Sequence, residues 1–301
     1  MWLLLGFASA LFLGFYDVEK KRGLDNNAVI PVLFLNTVFC SLFFLPILVL
    51  SRFAPQTLQG GILYVSSVDW QTHLFILLKS FIVLVSWGTA YVAIKHLPIT
   101  IVGPIKSMQP ALVLVGALLI FAEKLNAWQI AGILVSLFCF FLYSVVGRKE
   151  GISFLRNKWI WWLFVAVITG AISGLYDKYL MHRFDRMAVQ VWYTIYQIAM
   201  MLPVLFIGWW PKRKTSTPFQ FRWSIVGIAF FLCLSDFMYF YALSMPGSMI
   251  SVVSVVRRSA IIVSFLAGVY LFKDKNLRVK SYIMIGVLVG MYLLYLGSVQ
   301  K

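Results

Sequence analysis

Apolar residues along this 301-residue chain come in long blocks divided by short polar connections. Blocks of about 20 residues recur, the length at which a helix rising about 1.5 Å per residue crosses a bilayer core about 30 Å thick. The pattern predicts spans at 2–18, 28–50, 74–94, 99–121 and 127–146, then at 159–177, 188–210, 223–243, 248–272 and 282–298. Hydrocarbon offers no partner to a backbone N–H or C=O, so each block must close its own hydrogen bonds as a helix. The expected fold class is all-α, a polytopic membrane protein with about ten transmembrane helices. The longest connection, 51–73, has room for a short interfacial helix. Ala8-Ser9-Ala10 in the first block imitates a leader-cleavage site, but no positive residue precedes the block and its pattern recurs at Trp162. The block is expected to remain as the first span.

That recurrence is the strongest organising signal. Gly14-Phe15-Tyr16-Asp17 returns as Gly174-Leu175-Tyr176-Asp177 at the end of the equivalent span. Ala28-Val29 with Ala188-Val189, Leu45-Pro46 with Leu202-Pro203, Ala93 and Pro98 with Ala242 and Pro246, and Glu123-Lys124 with Asp274-Lys275 follow in the same order. Ordered matches at nearly constant offset indicate a duplication, 1–150 and 151–301, with five spans in each copy. Because five is odd, the second copy enters the membrane from the opposite side, giving an inverted repeat. Such a repeat places a pathway near the midplane and permits two mirror-related states open to opposite faces.

Composition agrees with the pattern: 61% of residues are hydrophobic and 12% charged, which leaves a soluble domain nowhere to hide its apolar surface. The net charge of +16 first suggests nucleic acid. However, Lys and Arg sit in the short connections rather than on one soluble face, so a nucleic-acid partner is excluded. Connections on the terminal face carry six of them against sixteen on the opposite face, a bias that taken alone puts both termini outside. Cys40, Cys139 and Cys233 lie far apart within apolar blocks, and His73, His96 and His182 are scattered near span ends. No metal site, cofactor or catalytic residue is predicted.

Several motifs carry a resemblance. They are the Gly-containing first and sixth spans ending in Tyr-Asp, the run Gly103-Pro104-Ile105-Lys106-Ser107-Met108-Gln109-Pro110, and Phe121-Ala122-Glu123-Lys124-Leu125-Asn126. Val256-Arg257-Arg258-Ser259-Ala260 and Phe272-Lys273-Asp274-Lys275-Asn276 complete the set. The chain resembles the drug/metabolite transporter superfamily, specifically its EamA-type members with ten spans in paired five-helix repeats. The resemblance implies a carrier of metabolites, amino acids or drugs in the cytoplasmic membrane, often an exporter. It also implies both termini inside, against the loop charges.

Charges within spans are the best site candidates, because each costs about 2.5–3.5 kcal/mol at a helix centre unless it faces protein or water. Lys106, Asp236, Arg257 and Arg258 qualify. Pro104 and Pro110 flank Lys106 and remove backbone donors, which leaves carbonyls free to face a cavity. Matching Ala93 to Ala242 sets Gln109 opposite Arg258 and Pro110 opposite Ser259. Lys106, Gln109 and Arg258, with Arg257, are therefore expected to bind a small anionic or zwitterionic solute. Internal pairing, with Asp236 on an arginine and Asp17 or Asp177 on Lys106, is the competing reading. Arg257 and Arg258 point about 100° apart on a helix, so they serve different contacts.

Tyr91 and Tyr239 are candidates for stacking on the solute, alongside Tyr16, Trp87 and Tyr176. Asp17, Asp177 and Asp236 are candidates for gating or ion coupling, with an interfacial structural role as the alternative for the first two. Glu123 and Asp274 read as helix caps or partners of Lys124 and Lys275. Gly286-Val-Leu-Val-Gly290 permits close helix approach, within the fold or in a homodimer. The leading function is a secondary transporter that rocks one repeat against the other, with a small-molecule solute and the lipid bilayer as partners. The contrasting readings are a membrane enzyme acting on lipid headgroups and a non-transporting scaffold; dispersed carboxylates and peripheral histidines weigh against the enzyme.

Overall fold

A computed structural model describes residues 1–96, 105–106, 108–145, 157–271 and 277–299. The helices are α1 (Trp2–Leu24), α2 (Val29–Phe53), α3 (Trp70–His96), α4 (Gln109–Ile120), α5 (Ala127–Val145) and α6 (Lys158–Arg183). They continue as α7 (Arg186–Pro203), α8 (Trp223–Ser244), α9 (Ile250–Arg258), α10 (Ala260–Leu271) and α11 (Leu277–Val299). Among the described residues seven helical stretches are long and apolar enough to cross a bilayer, one of them continuing from α7 to Lys212. The expected ninth span is divided between α9 and α10, and α4 starts well inside the expected fourth. The chain is a multi-pass α-helical membrane protein. The 51–73 connection holds one 3-10 turn, Pro55–Thr57, in place of an interfacial helix.

Polarity is distributed as lipid solvation requires. Leu4, Phe81, Leu119, Phe138, Ile207 and Tyr282 are more than half exposed on the outside, while Asn36, Gln129, Gln190 and Gln197 are buried. Helices in hydrocarbon gain little by hiding apolar surface from one another, so close approach and buried polar bonds hold them. Between α1 and α8, the Ser9 hydroxyl donates to the Ser235 carbonyl at 2.8 Å and the Ser235 hydroxyl returns a bond to the Ser9 carbonyl at 2.9 Å. Gly286 and Gly290 of α11 lie against Cys139, Ser136 and Gly132 of α5, so the small-residue face predicted to permit close approach is covered within the chain.

Helix partnerships are reciprocal. α1 packs on α8 and α3 on α6; α1 also meets α9 and α10 while α6 meets α4. α2 pairs with α7 and α5 with α11. Pro46 and Pro203 occupy corresponding positions in α2 and α7. Beyond Pro203, which offers no N–H to the preceding turn, the helix widens into one π turn, Val204–Trp209.

Candidate functional site

Two interrupted spans meet at the centre of the molecule. Pro110 has no N–H to give, so the carbonyl four residues earlier, that of Lys106, is left without its helical partner. Arg258 of α9 supplies the missing donor: its Nη2 group donates to the Lys106 carbonyl at 3.2 Å and to Gln109 Oε1 at 3.0 Å. The two breaks share a backbone form. Met108 N–H donates to the Ile105 carbonyl at 3.2 Å and Ser259 N–H to the Val256 carbonyl at 3.0 Å, tightening each helix by one residue where it is interrupted.

Beside this junction lies a cavity of about 350 Å³, lined from α1, α3, α4, α6, α7, α8 and α9. Lys106, Gln109, Arg257, Arg258, Tyr239, Asp177 and Asp236 all contribute to its wall, as do Tyr16 and Trp87. Asp17 is not on that wall; it is bonded to Lys20 at 3.6 Å with 43% of its side chain exposed. Tyr176 also turns away, donating its hydroxyl to the Phe75 carbonyl at 3.1 Å and stacking on Tyr179. The side chain of Tyr91 falls outside the described residues, as do Pro104, Asp274 and Lys275.

Charges on the wall are partly neutralised. Arg257 pairs with Asp236 and lies over the Tyr239 ring at 4.1 Å. Asp177 pairs not with Lys106 but with Lys79 of α3, both side chains being at least nine-tenths buried. Lys79 also lies over the rings of Tyr193 at 4.5 Å and Phe240 at 5.0 Å. The sequence reading missed Lys79, although a lysine in the middle of a predicted span carries the same insertion cost that singled out Lys106. Among the described residues neither Lys106 nor Arg258 has a carboxylate within ion-pair distance.

The start of α9 is clamped from two sides. Ala122 takes a left-handed backbone conformation, φ 49°, in the turn that presents Glu123. The Glu123 carboxylate accepts N–H bonds from Ile250 at 2.6 Å and Ser251 at 3.2 Å, together with the Ser251 hydroxyl. Its cap therefore serves a distant helix rather than its own, and it does not pair with Lys124. Lys178 donates to the Ser248 carbonyl at 2.6 Å, to the Ser248 hydroxyl and to the Leu243 carbonyl at 3.4 Å. An acid at the first turn of α9 and two arginines at its last both complement the helix dipole.

A helical membrane protein with broken spans meeting at an interior polar cavity has the architecture of a transporter. Residues 1–145 match the EamA-like transporter family, a branch of the drug/metabolite transporter superfamily. A solved crystal structure resembles the whole fold, covering 100% of this chain and 98% of its own at a TM-score of 0.72. At 14% identity that likeness is one of fold. No curated protein matches the sequence.

Proposed function

We propose that the chain is a secondary transporter of a small anionic or zwitterionic metabolite, acting as an exporter in the cytoplasmic membrane. It works by alternating access between two inverted five-helix repeats, 1–150 and 151–301. The observation that carries the reading is the interior cavity at the junction of the interrupted spans, with Lys106 and Arg258 on its wall and no carboxylate of the described residues within ion-pair distance of either. Reciprocal helix packing and breaks at matching places support the repeat. An anion entering this low-dielectric site exchanges its hydration for two fixed cations and the amide of Gln109. Closure at the Glu123 and Lys178 clamp blocks one face, and release of that clamp opens it.

Counterflow tests the reading. Purified protein in liposomes preloaded with unlabelled solute should accumulate radiolabelled solute, and Lys106→Ala or Arg258→Ala should slow uptake by about tenfold or more. Failure of every anion, amino acid and cationic drug to exchange would remove transport as the function and return the scaffold and enzyme readings. Exchange of cations alone would keep transport and overturn the solute class.

A further inference from the structure

We infer that the solute is a small organic dianion held by Lys106 and Arg258 together. This rests on the transporter reading above and adds the charge of the cargo. The cavity wall and its margin carry three pairs that cancel: Lys79 with Asp177, Arg257 with Asp236, and Lys20 with Asp17. Lys106 and Arg258 remain, with no carboxylate at ion-pair distance among the described residues. The chain flanking Lys106, Leu97 to Pro104 and Ser107, contains no Asp or Glu that would supply one.

The two cations are also neighbours, since Arg258 bonds the Lys106 carbonyl at 3.2 Å. Like charges held together away from bulk water raise each other's energy, and a monoanion cancels only one of them. Both bonds that Arg258 makes to described residues leave from Nη2, so no described residue engages its Nη1 and Nε donors. Each is a charged donor for one guest oxygen, since both bidentate edges of a guanidinium include Nη2, and the lysine supplies the second point charge. Gln109 spends its oxygen on Arg258, which leaves its NH2 as a neutral donor at the same place. A phosphate monoester and a dicarboxylate share this chemistry.

The test uses the full-length purified protein and four probes that share a benzene ring and differ in charge: phenyl phosphate, phthalate, benzoate and phenylalanine, at about pH 7. In thermal-shift titrations one of the dianions should stabilise the protein at about tenfold lower concentration than benzoate. Whichever dianion gives the larger shift identifies the headgroup. Lys106→Met and Arg258→Met should each erase the dianion's advantage, whereas Arg258→Lys, which keeps the charge count, should retain it. The wild-type protein offers an arm that needs no variant, because phenyl phosphate becomes a monoanion below its second pKa of about 6 and should lose its advantage at pH 5. Benzoate or phenylalanine matching the dianions at about pH 7, or an advantage that survives both Met variants, would overturn the inference. Counterflow separates the two claims: exchange of benzoate or phenylalanine without any dianion ends this inference and leaves transport standing. Dianion binding with no exchange of any solute ends the transporter reading alone.

Discussion

The four-residue stretch ending in Tyr-Asp occurs twice, as Gly14 to Asp17 in α1 and Gly174 to Asp177 in α6, and its two copies occupy different surroundings. In α1 the tyrosine faces the cavity while Asp17 sits off the wall on Lys20. In α6 the roles are exchanged: Asp177 is buried on the cavity wall against Lys79, and Tyr176 is bonded away from it. The facing helix makes the difference. α3 presents a lysine to α6, whereas α8 presents Asp236 on the α1 side, and that carboxylate is taken by Arg257. A shared motif sets a tyrosine and an aspartate at the same point of two spans, and the helices facing it decide which of the two the interior receives.

The sharpest way to break the comparison is to delete each carboxylate in turn. Asp177→Ala leaves Lys79 buried and unpaired, and loss of one partner from a buried pair costs about 3–5 kcal/mol. Asp17→Ala removes a solvent-exposed pair, for which about 0–1 kcal/mol is expected. Unfolding in mixed micelles measures both, and equal losses would mean that the contrast in burial has no energetic content. The double variant Lys79→Met with Asp177→Leu should recover most of the loss, because it removes the stranded charge along with its partner.

Glycines at the two copies give the next effect. A Cβ on Gly14 would overlap the side chain of Val263 in α10, so Gly14→Ala is expected to cost about 1–3 kcal/mol through overpacking. A Cβ on Gly174 would meet Val113 at 3.8 Å and the Tyr239 hydroxyl at 3.9 Å, ordinary contact distances. Gly174→Ala should therefore be neutral, or stabilising by up to about 1 kcal/mol through helix propensity. Melting temperatures of the two single variants decide the matter; a stable Gly14→Ala protein would show that α1 and α10 are not held as closely as described.

How far these contrasts were legible in the sequence depends on what hydropathy can register. Block lengths gave the long helices and Pro110 gave the free carbonyl at Lys106, because both follow from local covalent structure. The block ending at 177 stopped too soon, since α6 runs on to Arg183. Lys178 lowers the hydropathy there, yet its ammonium is satisfied by carbonyls of Leu243 and Ser248, which lie far along the chain. That early stop made Asp177 look interfacial when it is interior. The same blindness to distant partners hid the Lys79 pair and assigned Glu123 to its own connection, when it caps α9.

The Glu123 clamp has an intermediate effect. Glu123→Gln keeps the shape and one acceptor oxygen, while Glu123→Ala removes the whole cap on α9 and should cost about 0.5–2 kcal/mol. If the clamp closes one face of the carrier, the alanine variant should also raise labelling of a cysteine introduced at Ser254 on the cavity wall, in the presence of a membrane-impermeant maleimide. Unchanged labelling from both faces would leave Glu123 as a cap with no gating role.

The tyrosines of the two copies offer the smallest effect and the cleanest separation of readouts. Tyr176→Phe deletes the hydroxyl that bonds the Phe75 carbonyl at 3.1 Å, for which about 1 kcal/mol of stability is expected, with solute affinity unchanged. Tyr16→Phe alters a residue on the cavity wall, so its effect should fall on the concentration of solute needed for half-maximal counterflow. Measuring stability and affinity on both variants gives a crossed pattern if the copies have divided structural and transport roles between them. An uncrossed pattern, with either variant changing both quantities equally, would mean that Tyr16 reaches the solute only through packing, and that the two ends of the motif differ in environment without differing in task.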